Sequence, residues 1–154
     1  MTEEELTEFL VQSNYIENER TQQAHDDARV AWDYLVQADE LTEFTLKETH
    51  RFLLRNLATD WAGKYRKVNV IVGSRFCTQW EEVSTRIDAL LGTKPDGWDE
   101  IRSWHIAFEW CHPFRDGNGR TGRIIMNWQR IKQGLPILII HEGEEQQEYY
   151  EWFQ

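Results

Sequence analysis

The apolar residues of this chain recur mostly three or four positions apart, a spacing typical of the buried face of an amphipathic helix. Two such stripes begin the chain, and glutamates fill the first turn of the first stripe, where the helix dipole favours acidic groups. The apolar positions are Leu6, Phe9, Leu10 and Ile16 in the first stripe and Ala24, Ala28, Ala31, Trp32, Leu35 and Val36 in the second. The pattern therefore predicts two helices in this part of the chain.

Two capping signals predict where the next helices begin. Thr45 and Glu48 have the spacing of a capping box, in which each side chain binds the backbone N–H of the other residue. Thr78 and Glu81 repeat this spacing, and Gly92 is the expected stop of the helix that follows them. The apolar positions are Leu46, Phe52, Leu53 and Leu57 in the third helix and Val83, Ile87, Leu90 and Leu91 in the fourth.

Helical spacing continues through the second half of the chain. One stripe leads up to about Cys111, a second runs from near Arg120 to near Gly134, and residues 143–154 form a last short helix. The apolar-face positions are Trp98, Ile101, His105 and Phe108 in the former stripe and Ile124, Ile125, Trp128 and Ile131 in the latter.

One stretch, GKYRKVNVIVG at residues 63–73, breaks the helical period. Val68, Val70 and Val72 lie two positions apart between glycines, which predicts a β-hairpin whose valines form either a buried face or an edge for pairing. A chain of 154 residues is large enough for one domain with its own core. We therefore expect a single compact domain of the all-α class with a small β-hairpin.

The composition narrows the partners and the compartment. A net charge of −10 argues against nonspecific binding to nucleic acid or to an anionic membrane, because both need a basic surface. Cys77 and Cys111 lack the spacing of a disulfide scaffold or zinc site and predict free thiols in a reducing compartment. The acidic N-terminus is unlike a signal peptide, and the apolar run at 135–140 is too short to cross a bilayer. These features favour a cytoplasmic protein.

The segment HPFRDGNGRTGR at residues 112–123 carries the candidate chemistry. A glycine-rich turn at a helix N-terminus directs free N–H groups and a positive dipole end towards a ligand. Gly117 and Gly119 let the backbone approach that ligand closely. Arg120 and Arg123 are three positions apart on one helix face, where they oppose the dipole unless an anion compensates them. Phosphate oxygens match the guanidinium fork, so the segment predicts a phosphate site.

Two further residues indicate the type of reaction. Asp116 is an acid among anion-binding groups, and its usual explanation is Mg2+ bridging a carboxylate and phosphate oxygens. His112 has an unperturbed pKa of about 6.5, so it is mostly neutral and available as a base near neutral pH. A base, a metal ligand and an anion cradle together predict nucleotidyl or phosphoryl transfer to a hydroxyl group.

The segment resembles the signature of Fic domains, His-x-Phe-x-(Asp/Glu)-Gly-Asn-Gly-Arg-x-x-Arg, and matches it at all fixed positions. The flanks SWHIAFEWCHPF and RIIMNWQRIKQGLPI are similar to the helices around that motif, and residues 63–73 are similar to the family's flap hairpin. The resemblance covers roughly the whole chain. It implies a Fic-type helical bundle with a small β-hairpin flap.

The resemblance also implies an activity, the transfer of AMP from ATP to a hydroxyl side chain of a target protein. His112 would be the general base, Asp116 would hold Mg2+, and Phe114 would anchor the loop. The loop amides with Asn118 would form the anion hole, Arg120 would bind the phosphate chain and Arg123 the γ-phosphate. The implied nucleotide-binding residues are Gly117, Asn118, Gly119, Arg120, Arg123, Tyr149 and Tyr150. The two tyrosines either wall an adenine pocket or pack in the core.

The hairpin has an implied role of its own. In this family the flap binds the target segment by strand addition, which fixes register without reading much sequence. The corresponding residues here are Val68, Asn69, Val70 and Ile71.

A second motif predicts regulation. SNYIEN at residues 13–18 matches the Fic inhibitory pattern, with Ser13, Glu17 and Asn18 at its fixed positions. The resemblance implies an inhibitory helix at residues 1–20 packed on a catalytic domain at residues 21–154. Glu17 would pair with Arg123 and occupy the fork that the γ-phosphate needs.

Several alternatives stay open. The intact Gly-Asn-Gly favours AMP transfer over the phosphorylation performed by Doc relatives, whose motif departs from it. Within the family, the chain could instead remove AMP from a modified target or use another nucleotide donor. A non-catalytic nucleotide-binding module is the alternative outside catalysis. The target, its Ser, Thr or Tyr hydroxyl and self-association into a homo-oligomer are not determined by the sequence.

Overall fold

The computed structural model describes residues 1–57 and 60–154, and within them the chain is predominantly helical, as predicted. The helices are α1 Glu3–Ile16, α2 Gln22–Leu35, α3 Glu43–Leu53, α4 Val83–Leu91, α5 Gly97–Cys111, α6 Asn118–Lys132 and α7 Glu144–Tyr150. Strands β1 Ile71–Val72 and β2 Arg75–Phe76 form an antiparallel hairpin, and 3-10 turns cover Trp80–Glu82 and Glu151–Phe153.

Helix α6 lies at the centre of the bundle. Its residues from Thr121 to Arg130 are all buried, and α1, α2, α3 and α5 pack against it. Helix α1 belongs to the same core, because its Leu6, Phe9 and Leu10 join the main apolar cluster. A division into residues 1–20 and 21–154 stays a prediction. What the packing establishes is that the N-terminus of α6 is held on several sides.

The third helix begins and ends earlier than the sequence pattern predicted. Thr42, not Thr45, is its N-cap, and the two threonines exchange side-chain to backbone hydrogen bonds in a capping box without Glu48. The helix ends at Leu53, and Leu57, predicted on its apolar face, is 61% exposed. The sequence pattern fits either threonine as the N-cap. The reciprocal hydrogen bonds between Thr42 and Thr45 set the start of the helix.

Two other boundary predictions were wrong. Val36, assigned to the stripe of the second helix, follows α2 and is exposed. The capping box expected from Thr78 and Glu81 is replaced by the 3-10 turn, and α4 begins at Val83 without a side-chain cap. The 3-10 turn tightens the backbone before α4 and takes up the residues that a longer helix would have used.

The hairpin forms, but later along the chain than predicted. Its ladder pairs Ile71 with Phe76 and Val72 with Arg75, and the N–H of Cys77 donates to the carbonyl of Val70. The turn needs a positive φ, which Gly73 supplies at 61°. A buried valine face is also wrong, because Val68 is 59% exposed and Val72 42% exposed. Among the residues that the structure describes, the two-stranded ribbon has no second sheet to pack on, so most of its side chains are exposed.

Two simpler expectations concern thiols and membrane spans. Cys77 and Cys111 are both free, as predicted, and both are buried. Within the described residues, no helix combines the length and the apolar character that crossing a bilayer requires.

Gly122 allows α5 and α6 to approach closely. A Cβ at this position would overlap the Glu109 carboxyl and lie 3.0 Å from His105 Cε1 and 3.1 Å from Phe108 Cδ1. The carboxyl is the flexible end of a side chain, but the two rings are held in the core. The absence of a side chain at Gly122 therefore sets the distance between α5, which ends just before His112, and α6.

We expect Gly122→Ala to destabilise the protein by about 1–2 kcal/mol, because overpacking a core costs about 1–3 kcal/mol and the higher helix propensity of alanine offsets up to about 1 kcal/mol. Gly92→Ala is the matched control, because Gly92 has an ordinary φ of −73° and its added Cβ would meet neighbours at 3.4 Å or more. Urea unfolding of both variants measures the difference. Equal stabilities would contradict the close packing.

Candidate functional site

The loop between α5 and α6 places a histidine beside a helix N-terminus. Helix α5 ends at Cys111, and His112 adopts the left-handed conformation with φ 51° and ψ 61°. Gly117 supplies the second left-handed residue, with φ 77°, and α6 starts directly after it at Asn118. The start is two residues earlier than predicted, so Arg123 lies in the second turn of α6 and not in the first.

Phe114 anchors this loop, as predicted. It is fully buried and stacks on His50 with ring centroids 3.7 Å apart, and its backbone forms a bridge with Tyr65. His50 also holds the backbone, because one ring nitrogen pairs with the Asp116 carbonyl and the other accepts from the Gly63 N–H, both at 2.8 Å. Burial lowers the pKa of His50 to about 4, so the ring is neutral and donates to the carbonyl. The loop is therefore fixed from α3.

The Asn118 side chain holds the loop backbone. Its side-chain oxygen accepts from the Phe114 N–H and its side-chain nitrogen donates to the Phe114 carbonyl, both at 2.9 Å. Its contribution to an anion hole stays a prediction. Within residues 1–57 and 60–154, no side chain caps the α6 N-terminus, so the backbone N–H groups of its first turn remain for an anion.

A cavity of about 540 Å³ lies beside this helix end. Six of the predicted site residues meet there, together with the hairpin turn and the C-terminal segment. Its lining residues are Glu17, Val72, Gly73, Ser74, Arg75, Glu109, His112, Gly119, Arg123, Tyr149, Tyr150, Phe153 and Gln154. Arg75 closes one side by donating to the Phe153 carbonyl at 3.0 Å. The size suits a small organic ligand.

Arg123 is buried against α1 and is held by four contacts. Its Nε donates to Ser13 Oγ at 2.9 Å, and one terminal nitrogen donates to the Ser13 carbonyl at 3.0 Å and to Glu17 Oε1 at 2.8 Å. The other terminal nitrogen lies 3.5 Å from the Tyr149 hydroxyl. Two residues of the predicted inhibitory motif, Ser13 and Glu17, therefore contact the arginine. Asn18 lies in the turn after α1 and has a left-handed φ of 57°.

Gly119 gives the Glu17–Arg123 pair its room. A Cβ on Gly119 would overlap Glu17 Oε1 and lie 2.9 Å from an Arg123 terminal nitrogen. The carboxylate and the guanidinium thus cross directly over the α6 backbone. The Glu17 carboxylate therefore occupies the space directly beside Gly119 and the Arg123 guanidinium.

Tyr149 belongs mainly to the core. It is 3% exposed, and its hydroxyl lies 2.7 Å from Nε2 of His105, whose Nδ1 lies 3.2 Å from the Gly122 carbonyl. Because a carbonyl only accepts, Nδ1 carries the proton and Nε2 accepts from the tyrosine. Tyr150 is 39% exposed and offers the cavity an open aromatic edge. Both tyrosines line the cavity, but the Tyr149 hydroxyl donates to His105 and lies 3.5 Å from a terminal nitrogen of Arg123.

His112 is suited to accept a proton. Burial and the nearby charge of Arg66 lower its pKa below the ordinary value, and the opposing effect of Asp116 does not cancel them. The imidazole is therefore neutral at pH 7 and faces the cavity. A neutral imidazole beside a hydroxyl is the arrangement required of a general base.

Asp116 and Arg120 lie outside the cavity lining. Asp116 is exposed, and one of its carboxylate oxygens accepts from the Gly117 N–H at 2.7 Å. Among the residues that the structure describes, no group of three or more His, Cys, Asp and Glu could hold a metal ion. One carboxylate still fits Mg2+, which is commonly bound by one or two carboxylates together with substrate phosphates. Arg120 is 3% exposed and lies near His50, so its predicted contact with phosphate stays a prediction.

The predicted flap residues lead into the hairpin. Val68 and Val70 offer carbonyls to Arg66 and Cys77, and Asn69 accepts from the Trp80 N–H at 2.9 Å. Ile71, the first residue of β1, is 58% exposed. The pairing edge for a target strand stays a prediction, now centred on β1.

Sequence reasoning missed Glu109. Glu109 is partly buried, and its Oε1 is shielded from solvent and has no partner among the described residues. Burial raises the pKa of the carboxyl group to about 8. It lines the same cavity as Arg123 and His112. The signal was present, because Glu109 lies one turn before His112 and four residues after His105, an acid beside the buried face of α5.

Comparisons with known proteins agree with this geometry. A model of the Fic/DOC family matches residues 40–129. Protein adenylyltransferase Fic of Nematostella vectensis is 32% identical over 126 residues, which are 77% of this chain and 29% of that protein. Protein adenylyltransferase fic-1 of Caenorhabditis elegans is 33% identical over 120 residues, 73% of this chain and 23% of that protein. The chain therefore spans less than a third of the length of these relatives.

Solved structures share the fold. A Fic domain containing signaling protein of Bacteroides thetaiotaomicron superposes with a TM-score of 0.79 at 20% identity, over 94% of this chain and 69% of that one. Fic-1 of C. elegans gives a TM-score of 0.79 at 22% identity, over 98% of this chain and 55% of that one. The family model covers more than half of the sequence, from before α3 to near the end of α6. The motif, the fold and the family match agree, and the chain belongs to the Fic/DOC family.

Proposed function

We propose that this chain transfers AMP from ATP to a hydroxyl side chain of a target protein and that Glu17 restrains the transfer. One observation supports this most: His112, the uncapped N-terminus of α6 and the buried guanidinium of Arg123 are arranged around one cavity. The free N–H groups would bind the α- and β-phosphates, and Arg123 the γ-phosphate. Tyr150 and the hairpin turn at Gly73 would enclose the adenosine.

The proposed chemistry is an in-line displacement at the α-phosphorus. His112 removes the proton from the target hydroxyl, the hydroxyl oxygen forms a bond to the α-phosphorus, and the bond to the bridging oxygen breaks to release pyrophosphate. Asp116 would hold Mg2+, which neutralises charge on the phosphate oxygens when bound. The amides of the α6 N-terminus stabilise charge on the non-bridging oxygens at a site that is already ordered.

Restraint by Glu17 follows from competition for one fork. Glu17 occupies the terminal nitrogen of Arg123 that a γ-phosphate would use, so ATP bound in its presence has displaced phosphates. A charge-assisted hydrogen bond contributes about 1.5–3 kcal/mol, and the lower end applies because the Glu17 side chain is 38% exposed. That corresponds to about a tenfold effect on occupancy of the productive position.

Two related activities use the same residues. A Glu17 carboxylate that lines the cavity with His112 would also orient a water against an AMP-modified target, and hydrolysis would then release AMP and restore the target hydroxyl. A different nucleotide donor would use the same phosphate contacts, because base recognition depends on other side chains. The proposed target is a protein with a Ser, Thr or Tyr hydroxyl, presented along the hairpin.

Glu109 adds a condition to triphosphate binding. An ionised carboxylate in the cavity would repel phosphates, whereas a protonated carboxyl can donate a hydrogen bond. Because burial raises the pKa of Glu109 to about 8, the group is mostly neutral at pH 7. Nucleotide affinity should therefore depend on Glu109 keeping its proton.

Replacing Glu17 should release activity. We expect Glu17→Gly to raise AMP transfer at least about tenfold, because it frees the Arg123 fork. The measurement follows label from ATP labelled at the α-phosphate, with Mg2+, into the protein itself and into a cell lysate. Glu19→Gly, the same change two residues away, should behave as wild type. Equal labelling by Glu17→Gly and wild type would remove the inhibitory role.

Replacing His112 separates an enzyme from a binding module. In the Glu17→Gly background, His112→Ala should abolish labelling, because the base is lost, while ATP affinity changes by less than about threefold, since the phosphate contacts remain. Calorimetric titration of ATP gives the affinity. Undiminished labelling without the histidine would exclude the proposed base, and ATP binding with no labelling in any variant would favour a binding module or another donor.

The affinity for ATP should weaken at alkaline pH. As pH rises through about 8, Glu109 ionises and repels the phosphates, so the Kd for ATP should increase by about threefold or more between pH 7.5 and 9.5. Burial raises the pKa of Tyr149, also in the cavity, above its ordinary value, so the phenol does not titrate in this window. Glu109→Gln, which mimics the neutral acid, should keep a constant Kd. Parallel pH curves for both proteins would contradict this role.

A further inference from the structure

Arg66 is a buried cation whose hydrogen bonds all go to backbone carbonyls. It is 4% exposed, and no carboxylate contacts it among the residues that the structure describes. Its Nε donates to the His112 carbonyl at 2.6 Å, and one terminal nitrogen donates to Val68 at 2.7 Å. The other terminal nitrogen donates to the carbonyls of Cys111, at 3.1 Å, and Thr78. A single side chain thus satisfies four acceptors.

Two of these acceptors lie at the C-terminal end of α5. The carbonyls of the last helical turn lack partners within the helix, and the negative end of the dipole favours a cation there. Cys111 is the last residue of α5 and His112 is its left-handed C-cap. The Arg66 backbone N–H also donates to the Pro113 carbonyl at 3.0 Å. Arg66 therefore fixes the backbone on which the His112 imidazole is carried.

The other two acceptors lie at the two ends of the hairpin. Val68 precedes the pairing of Val70 with Cys77, and Thr78 directly follows it. Because a guanidinium is planar and its donors have fixed directions, the four carbonyls cannot shift independently while Arg66 holds them. Both ends of the hairpin are thereby tied to the residue that carries the imidazole.

We propose that Arg66 is a positioning residue that holds His112 and the β1–β2 hairpin as one unit, so that a target strand on the hairpin meets the imidazole in a fixed register. This inference rests on the proposed function for its effect on transfer. The cation also faces the imidazole, and its charge, after burial, contributes to the lowered pKa of His112. Arg66 itself does not line the cavity, and of His112 it contacts only the backbone.

The protein contains a matched control for a buried arginine with a structural role. Arg130 is 9% exposed, donates through Nε to the Pro136 carbonyl at 2.9 Å, and lies over the ring of Trp98. Burial lowers the pKa of both arginines. Arg130 lies near the C-terminal end of α6, whereas the cavity lies at its N-terminal end. Loss of buried packing should lower stability in variants of both arginines. Loss of the hydrogen bonds that join His112 to the hairpin should occur only in variants of Arg66.

The test compares Arg66→Lys, Arg66→Met and Arg130→Lys in the Glu17→Gly background. Lysine keeps the charge but lacks the fork, so both Arg66 variants should lower kcat by at least about tenfold while KM for ATP changes by less than about twofold. Hydrogen exchange of the Cys77 and Trp80 amides should become faster in both variants, because the hairpin loses its ties. Arg130→Lys should leave kcat and these amides unchanged.

Each outcome decides the proposal. A kcat equal to that of the Glu17→Gly parent, together with unchanged exchange in Arg66→Lys, would overturn the proposal, as would a loss of kcat equal to that of Arg130→Lys. If Arg66→Met does not fold, Arg66→Lys with a thermal midpoint near that of Glu17→Gly provides the decision. If Glu17→Gly itself transfers no AMP, the proposed function fails. The positioning role of Arg66 is then tested by hydrogen exchange and by the NMR chemical shifts of the His112 imidazole. These shifts should change in Arg66→Lys and remain unchanged in Arg130→Lys.

Discussion

The buried positive charge of Arg123 is the constraint on which the rest of the site depends. A guanidinium that is 3% exposed must have acceptors, because an unpaired buried cation costs several kcal/mol. Here Ser13 of α1 and Glu17, which directly follows α1, supply three hydrogen bonds, and the Tyr149 hydroxyl lies 3.5 Å from the remaining terminal nitrogen. Under the proposed function, a triphosphate at the α6 N-terminus would supply the acceptor that Glu17 supplies here. The γ-phosphate and the Glu17 carboxylate would therefore be alternatives at one terminal nitrogen of Arg123.

The exchange between them is local, because α1 is held by more than this ion pair. Leu6, Phe9 and Leu10 lie in the main core, and burying side chains of this kind stabilises by about 1.5–3 kcal/mol each, more than one partly exposed hydrogen bond contributes. The two contacts from Ser13 come from the buried face of α1, whereas Glu17 follows its last turn. Displacement of the Glu17 side chain alone is thus much less costly than undocking the helix, and Ser13 continues to orient Arg123.

Sequence patterns predicted the helices and the motif, but they did not predict which groups the individual side chains contact. The helical stripes were predictable because burial follows the period, and the motif identified His112, Arg123 and Glu17. The role of Asn118 was not predictable, because a side-chain amide binds an anion or a backbone equally well. Its contact with Phe114 depends on the loop conformation. His50 and Arg66 reach acceptors 66 and 46 residues away, so no local spacing encodes them. Hairpin register was also undetermined, since valines two apart do not specify which carbonyls pair.

The loop at residues 112–117 brings together helix ends of opposite polarity, and the charged groups around it are sorted accordingly. The C-terminal end of α5 offers carbonyls, and it receives the cation of Arg66, which pairs with no acid in the described part of the chain. The N-terminal end of α6 offers N–H groups, and it keeps them uncapped and faces a cavity. Arg66 thus compensates the negative end of the α5 dipole. One buried arginine therefore satisfies the carbonyls that carry His112, while the N–H groups of α6 stay free of a side-chain cap and available to an anion.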